Sequence, residues 1–304
     1  MSWDRVERLI GTANLTRLAE KRVAVIGLGS GGGFVALTLA MSGVGKFVLF
    51  DDDVLDEANL VRHVADRRYL GQPKAEAVAD LIRQRNPTAD IRVVNARFEE
   101  DTDALDGVDV IIAAVDGENP KYAINQAALQ HRLITVYAGV YERGEGGDVV
   151  IIRPYDGPCY ACWAAELREE LASVKNFGER ELDYGMIGES GTLEAEPGLW
   201  LHVTRVASAQ ADLALNELLN GTEIYKAMPG NTVILANTAL EIIDGQMSLP
   251  YTAVWATIER NPDCLICGDY FRQQTEQSEA QNVSLDDLMQ ATGMIVEDEK
   301  EQKS

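Results

Sequence analysis

A chain of 304 residues with 46% hydrophobic content has enough apolar material for a real core, in one large or two small domains. Its 49 acidic against 27 basic side chains give a formal charge of -22, which makes nucleic acid an unlikely partner and reads first as a solvated acidic surface. No run of about 18 apolar residues is present and the N-terminal MSWDRVERLI is charged where a secretory signal is apolar, so the expectation is a cytoplasmic protein with no membrane span.

In chain order, the first predicted strand is 21–29, KRVAVIGLG, an apolar run ending in glycines. The helical FVALTLAMSG and a second strand, KFVLFDD from Lys46, complete a strand, helix, strand unit. A helix follows Pro73 in KAEAVADLIRQR, then strands IRVVNARF and VDVIIAAVD, a helix KYAINQAALQH, and a strand ITVYAGVY from Ile134. Runs apolar on both faces suit parallel strands covered by helices, so the chain to about Tyr141 reads as a doubly wound, Rossmann-like α/β sheet.

Beyond it come the strand-like VVIIRP, a CYAC knuckle, and a polar, Gly-rich stretch over 166–198 that shows no sustained period and is expected to be a long crossing loop. A long amphipathic helix over 199–219 and the strands TVILAN and TAVWATI complete this half. The residues from Gln273 are rich in Gln, Glu and Ser; they read as a mobile tail or as holding one short helix over 284–292. No internal repeat is found.

Gly27-Leu28-Gly29-Ser30-Gly31-Gly32 fits G-x-G-x-x-G between a strand and a helix, where backbone N–H groups can hold a phosphate. Asp51, 19 residues after Gly32, stands where a carboxylate accepts hydrogen bonds from a ribose. These two features alone fit NAD as well as ATP. The segment NLVRH, just after the acidic triplet Asp51-Asp52-Asp53, favours a triphosphate: Asn59 and Arg62 are suited to phosphate oxygens, and Lys74 on the first turn after Pro73 adds a compact positive charge. Asp116 ends the VIIAAVD strand, at the edge of an open sheet where ligands bind, and a carboxylate there suits Mg²⁺.

Taken in order, VAVIGLGSGG, SGVGKFVLFDDD, EANLVRH, GQPKAEAV with IRQRNP, IIAAVDGEN and two cysteine pairs resemble the ThiF/MoeB/HesA-type adenylating enzymes, relatives of the ubiquitin-activating enzyme. The resemblance covers roughly 5–270. It implies the glycine loop (Gly27, Gly29, Ser30, Gly32) and the Asp51 to Asp53 turn against the nucleotide, Asp51 on its ribose, Asn59, Arg62 and Lys74 on the triphosphate, and Asp116 on magnesium. It also implies a homodimer in which an N-terminal arginine, matched by Arg8 in Arg5-Val-Glu-Arg8, enters the neighbouring subunit's ATP site. Two positions depart from the family pattern, Ser30 where Gly is common and His63 where Gln is common; neither removes a charge.

All four cysteines fall in Cys159-x-x-Cys162 and Cys264-x-x-Cys267. Two such knuckles suit a closed, structural zinc site, and a reducing cytoplasm disfavours the alternative of disulfides. The chain thus divides into a nucleotide-binding half over 1–145, a zinc-bearing, substrate-side half over 146–272 integrated with the first, and an acidic tail over 273–304. The crossing stretch contains no cysteine, so no enzyme thioester is expected. The implied reaction is adenylation of a carboxylate by ATP with Mg²⁺, most naturally the C-terminal glycine of a small ubiquitin-like or sulfur-carrier protein. Alternatives are a carboxyl group on a modified tRNA or a peptide, a non-catalytic scaffold subunit, and an NAD-dependent oxidoreductase. His131, His202, Trp163, Trp200 and Trp255 are read as ordinary core or surface residues.

Overall fold

The structure, a computed structural model, describes residues 2–174, 198–243 and 246–269. Two compact units are distinguished, 1–260 and 261–304. The first opens with α1 (Asp4–Ile10) and α2 (Thr12–Glu20), then alternates: β1 (Arg22–Ile26), α3 (Gly32–Met41), β2 (Lys46–Phe50), α4 (Lys74–Arg85), β3 (Asp90–Val94), β4 (Val110–Ala113), α5 (Glu118–His131) and β5 (Ile134–Val140). It continues with β6 (Gly146–Ile152), α6 (Tyr160–Val174), α7 (Trp200–Leu218), β7 (Thr232–Ala236), β8 (Leu240–Ile243), β9 (Gln246–Ser248) and β10 (Ala253–Ala256).

Eight strands form one sheet in the order β10-β7-β6-β5-β4-β1-β2-β3. The pairings from β3 through β5 are parallel; those of β6, β7 and β10 are antiparallel. Alternation along each strand feeds two cores. Val23, Val25, Phe47, Leu49, Ile112 and Val136 pack with α3, α4 and α7, whereas Ala24, Ile26, Val48, Phe50, Ile111 and Tyr137 face Ile124, Tyr160 and Trp163 of α5 and α6. Burial on both faces is why these runs lack polar alternation in the sequence.

The second unit begins with a knuckle in which Cys264 N–H donates to the Asn261 carbonyl at 3.1 Å and Gly268 N–H to the Cys264 carbonyl at 2.8 Å. One expectation is corrected. Part of the supposed crossing loop is helix, since α6 runs to Val174. The segment AAELREELASV is built from Ala, Leu and Glu, strong helix formers, and its charged residues masked the apolar period. The rest of that stretch from 175, and the tail with its suggested short helix, lie outside the described residues. No helix among those described is long and apolar enough to cross a membrane.

Candidate nucleotide-binding site

The strand order reverses between β1 and β4, which makes the crevice at their carboxyl ends the expected ligand site of an open α/β sheet. The glycine turn leaves β1 there. Gly27 has φ +85°, and a Cβ on it would lie 2.7 Å from the Ala114 carbonyl oxygen and 3.1 Å from Val115 Cγ1. A Cβ on Gly32 would overlap the Gly27 carbonyl oxygen, so both positions need glycine. α3 starts at Gly32, and the N–H groups of Gly29, Ser30 and Gly31 have no acceptor among the described residues. Unpaired donors at the start of a helix favour an anion.

Beneath the turn lies Asp51. Its Oδ2 accepts from Leu28 N–H at 2.6 Å and its Oδ1 from Asp53 N–H at 3.0 Å. Burial pushes this carboxyl up from its ordinary value, opposed by those two donors and by the Lys74 charge. Each oxygen retains a lone pair for a hydroxyl. Lys74, 8% exposed, opens α4 directly after Pro73 and places Nζ 2.7 Å from Asp53 Oδ2, while its N–H donates to the Asp53 carbonyl. Asp53 is therefore first a partner of Lys74.

His63 supports the same turn. Its Nδ1 accepts from Ala65 N–H at 2.9 Å, which leaves Nε2 to donate to the Leu28 carbonyl at 2.7 Å. Burial holds its pKa below the usual histidine value. Asn59 and Arg62 stand on the connection just before it: Asn59 exchanges hydrogen bonds with Asp56, and Arg62 N–H donates to the Asn59 carbonyl at 2.9 Å. The half-buried Arg62 side chain has no partner among the described residues. Asp116 is exposed, one residue beyond Val115, whose Cγ1 would meet a Cβ on Gly27. Direct bonds and contacts thus gather the glycine loop, Asp51, Asp53 and Lys74, with Asn59, Arg62 and Asp116 on adjoining loops. Arg8 is not tied to this group. It is exposed on α1 and paired with Asp4 at 3.0 Å.

Two residues of α7, read in the sequence as ordinary or not singled out, prove to hold the site. Trp200 Nε1 donates to the Ser30 carbonyl at 3.0 Å, and its ring meets Phe34 edge-on. Gln210 Nε2 donates to the carbonyls of both Ala113 and Val136, clamping β4 to β5 beside the crevice. A glutamine at a core-facing position of an amphipathic helix, spaced with Val206, Ala207 and Ala214, was the available signal, because a buried amide must find partners.

The cysteine pairs take the knuckle form separately. Cys159 and Cys162 bring their sulfurs to 3.8 Å at the start of α6. In the second unit Ile266 N–H points at Cys264 Sγ, 3.4 Å away. None of the four is in a disulfide.

A doubly wound sheet with a glycine turn, a buried acid and basic groups at its switch point defines a nucleotide-binding α/β protein. The chain belongs to the ThiF family, whose model matches residues 4–296. It is 30% identical over 268 residues to the SAMP-activating enzyme E1 of Haloferax volcanii, covering 86% of this chain and 85% of that one. It is 31% identical over 191 residues to ubiquitin-like modifier-activating enzyme 5 of Drosophila willistoni, and there it spans 46% of the relative's length. The crystal structure of E. coli MccB with succinimide shares the fold at a TM-score of 0.63 and 16% identity, covering 85% of this chain and 70% of that one. E. coli TcdA, a tRNA N6-threonylcarbamoyladenosine dehydratase, does so at 0.52 and 24%, covering 71% and 93%.

Proposed function

We propose that this chain adenylates a carboxylate, the C-terminal glycine of a small ubiquitin-like or sulfur-carrier protein, with ATP as the second substrate. The observation that carries the reading is the meeting of Asp51 and Lys74 at the glycine turn, in a chain that spans most of a relative named for activating SAMP. The substrate carboxylate is ionised at neutral pH and needs no general base. It attacks the α-phosphorus in line; a new O–P bond forms, the bond to the β-phosphate oxygen breaks, and pyrophosphate leaves.

The chain's contribution is positioning and charge. Asp51 holds the ribose, the Gly29 to Gly31 N–H groups face the phosphates, and Asn59, Arg62 and Lys74 take the charge that moves onto the leaving oxygens. Asp116 is the carboxylate suited to Mg²⁺, which would neutralise part of that charge. Arg8 would act from the second subunit of a homodimer. The two cysteine pairs offer the four thiolates of a structural zinc site, and N–H donation toward sulfur suits a metal-bound thiolate. All four cysteines of these 304 residues are then committed to the metal, so the product is released or passed on without a thioester to one of them.

ATP–pyrophosphate exchange with Gly-Gly-terminated carrier proteins tests this. Carrier-dependent exchange is expected; exchange driven only by a peptide or by a modified tRNA would move the same chemistry to another carboxylate, and none with any of them would refute it.

A further inference from the structure

Arg205 lies on α7 five residues after Trp200, half-buried. Its guanidinium is held on two sides: Nη1 donates to Asn237 Oδ1 at 2.7 Å, and Cζ lies 4.5 Å from the centroid of the Tyr251 ring. Asn237 is itself fixed, with Nδ2 donating to the Gly144 carbonyl at 2.8 Å. Tyr251 has φ +64°, a strained conformation for an aromatic residue, and its N–H donates to the Ala236 carbonyl at 2.7 Å. Among the described residues no carboxylate pairs with Arg205, although acids outnumber bases 49 to 27 in the chain. An oriented planar fork with donors to spare fits a carboxylate.

Arg205 opens on a pocket of about 120 Å³ lined also by Leu235, Ala236, Tyr251, Thr252 and Ala253. Beside it, apolar side chains stand exposed at every second position: Met247 at 63%, Leu249 at 73% and Tyr251 at 76%. A free anion has no use for such a rim, whereas a cationic anchor bordered by aliphatic and aromatic surface is the make-up of a protein contact.

Register places the pocket on the nucleotide's edge of the sheet. Val140, at the carboxyl end of β5, pairs with Gly147, Gly147 with Leu235, and Leu235 with Ala253. β4, β5 and β6 separate β1 from β7. Steps of roughly 4.8 Å between strands put about 19 Å between the glycine turn and the pocket, the reach of about six residues of extended chain.

We propose that Arg205 and the Met247, Leu249, Tyr251 rim form a docking subsite for the carrier protein, the guanidinium seating one acidic side chain that precedes the reacting carboxyl by about six residues. The subsite rests on the reading that the substrate is a carrier with an extended C-terminal tail. Arg205 touches neither nucleotide nor reacting carboxyl, so it sets affinity and register and leaves the chemical step alone.

Pyrophosphate exchange with synthetic Gly-Gly-terminated peptides, one Glu walked along each with Gln controls, reads this directly. Glu near the sixth position from the end is expected to lower the peptide KM about tenfold relative to Gln, with kcat unchanged. Arg205→Gln should erase that difference, and Arg205→Glu should transfer the preference to Lys. Equal KM for Glu and Gln peptides at every position, or a preference that survives Arg205→Gln, overturns the subsite and leaves adenylation standing. No exchange by the wild-type protein with any peptide or carrier fails the adenylation reading and the subsite with it. Loss of a dimer on light scattering in Arg205→Glu would assign the patch to a contact between copies and overturn the proposal.

Discussion

Lys74 is buried while its partner Asp53 has a side chain 68% exposed, so the ion pair is half in water and modest in strength. A triphosphate, with more charge than one carboxylate, can displace Asp53 without leaving it stranded. Lys74→Ala should therefore lower pyrophosphate exchange about a hundredfold, ~3 kcal/mol of barrier, at a melting temperature close to wild type; exchange at the wild-type rate would remove Lys74 from the mechanism. His63 gives a pH dependence. Protonation would place a proton on Nδ1, facing the Ala65 N–H that now donates to it. Because burial depresses its folded pKa, the unfolded chain takes up this proton first, so the stability tied to the neutral ring is present above 6.5 and lost as pH falls below it toward the folded value. In His63→Gln that loss should be absent: the difference in melting temperature between the two proteins is expected to be constant above neutrality and to shift toward the Gln variant in acid. A constant difference across the whole range would discard this account.

At the scale of elements, the parallel strands and α3 were legible because burial on both faces leaves unbroken apolar runs, and because Gly27 and Gly32 cannot carry a Cβ where they stand. Asp51 and Lys74 were legible from their distances to those runs. What α7 does was not. Its amphipathic period is plain in the sequence, but the partner of Trp200 is a carbonyl 170 residues away, and nothing local distinguishes an indole that packs from one that also donates. Similarly, the start of the crossing stretch read as loop because the charges of α6 hid its apolar period. Trp200→Phe keeps the ring against Phe34 and deletes the N–H. It should cost about 1 kcal/mol of stability and raise the KM for ATP several-fold with little change in maximal exchange, as the glycine turn loses its brace. An unchanged KM with the same loss of stability would make the bond purely structural. Gly32→Ala is expected to do more, since its methyl would meet a backbone oxygen that has no rotamer to escape into; circular dichroism melting should show a marked loss of folded protein.

For the whole molecule, the proposed zinc makes a prediction that does not depend on catalysis. A chromophoric chelator should withdraw about one zinc per chain, with a fall in melting temperature, and Cys264→Ser should lose the metal more readily than wild type. Protein that carries no zinc after expression in zinc-supplied medium would end that assignment. The cysteine spacing conveyed this much before any coordinates, whereas the acidic charge conveyed little beyond the kind of partner it disfavours. One long-range arrangement has a larger consequence. Along a single helix, Trp200 braces the glycine turn, Gln210 ties the two strands at the crevice, and Arg205 faces the place assigned to the incoming tail. A helix that braces that turn and carries the proposed tail anchor would pass a tilt imposed at one to the other, so the two affinities are expected to be linked, and by the same factor in each direction. Occupancy by a non-hydrolysable ATP analogue should then tighten the grip on the carrier as much as the carrier tightens the grip on the analogue.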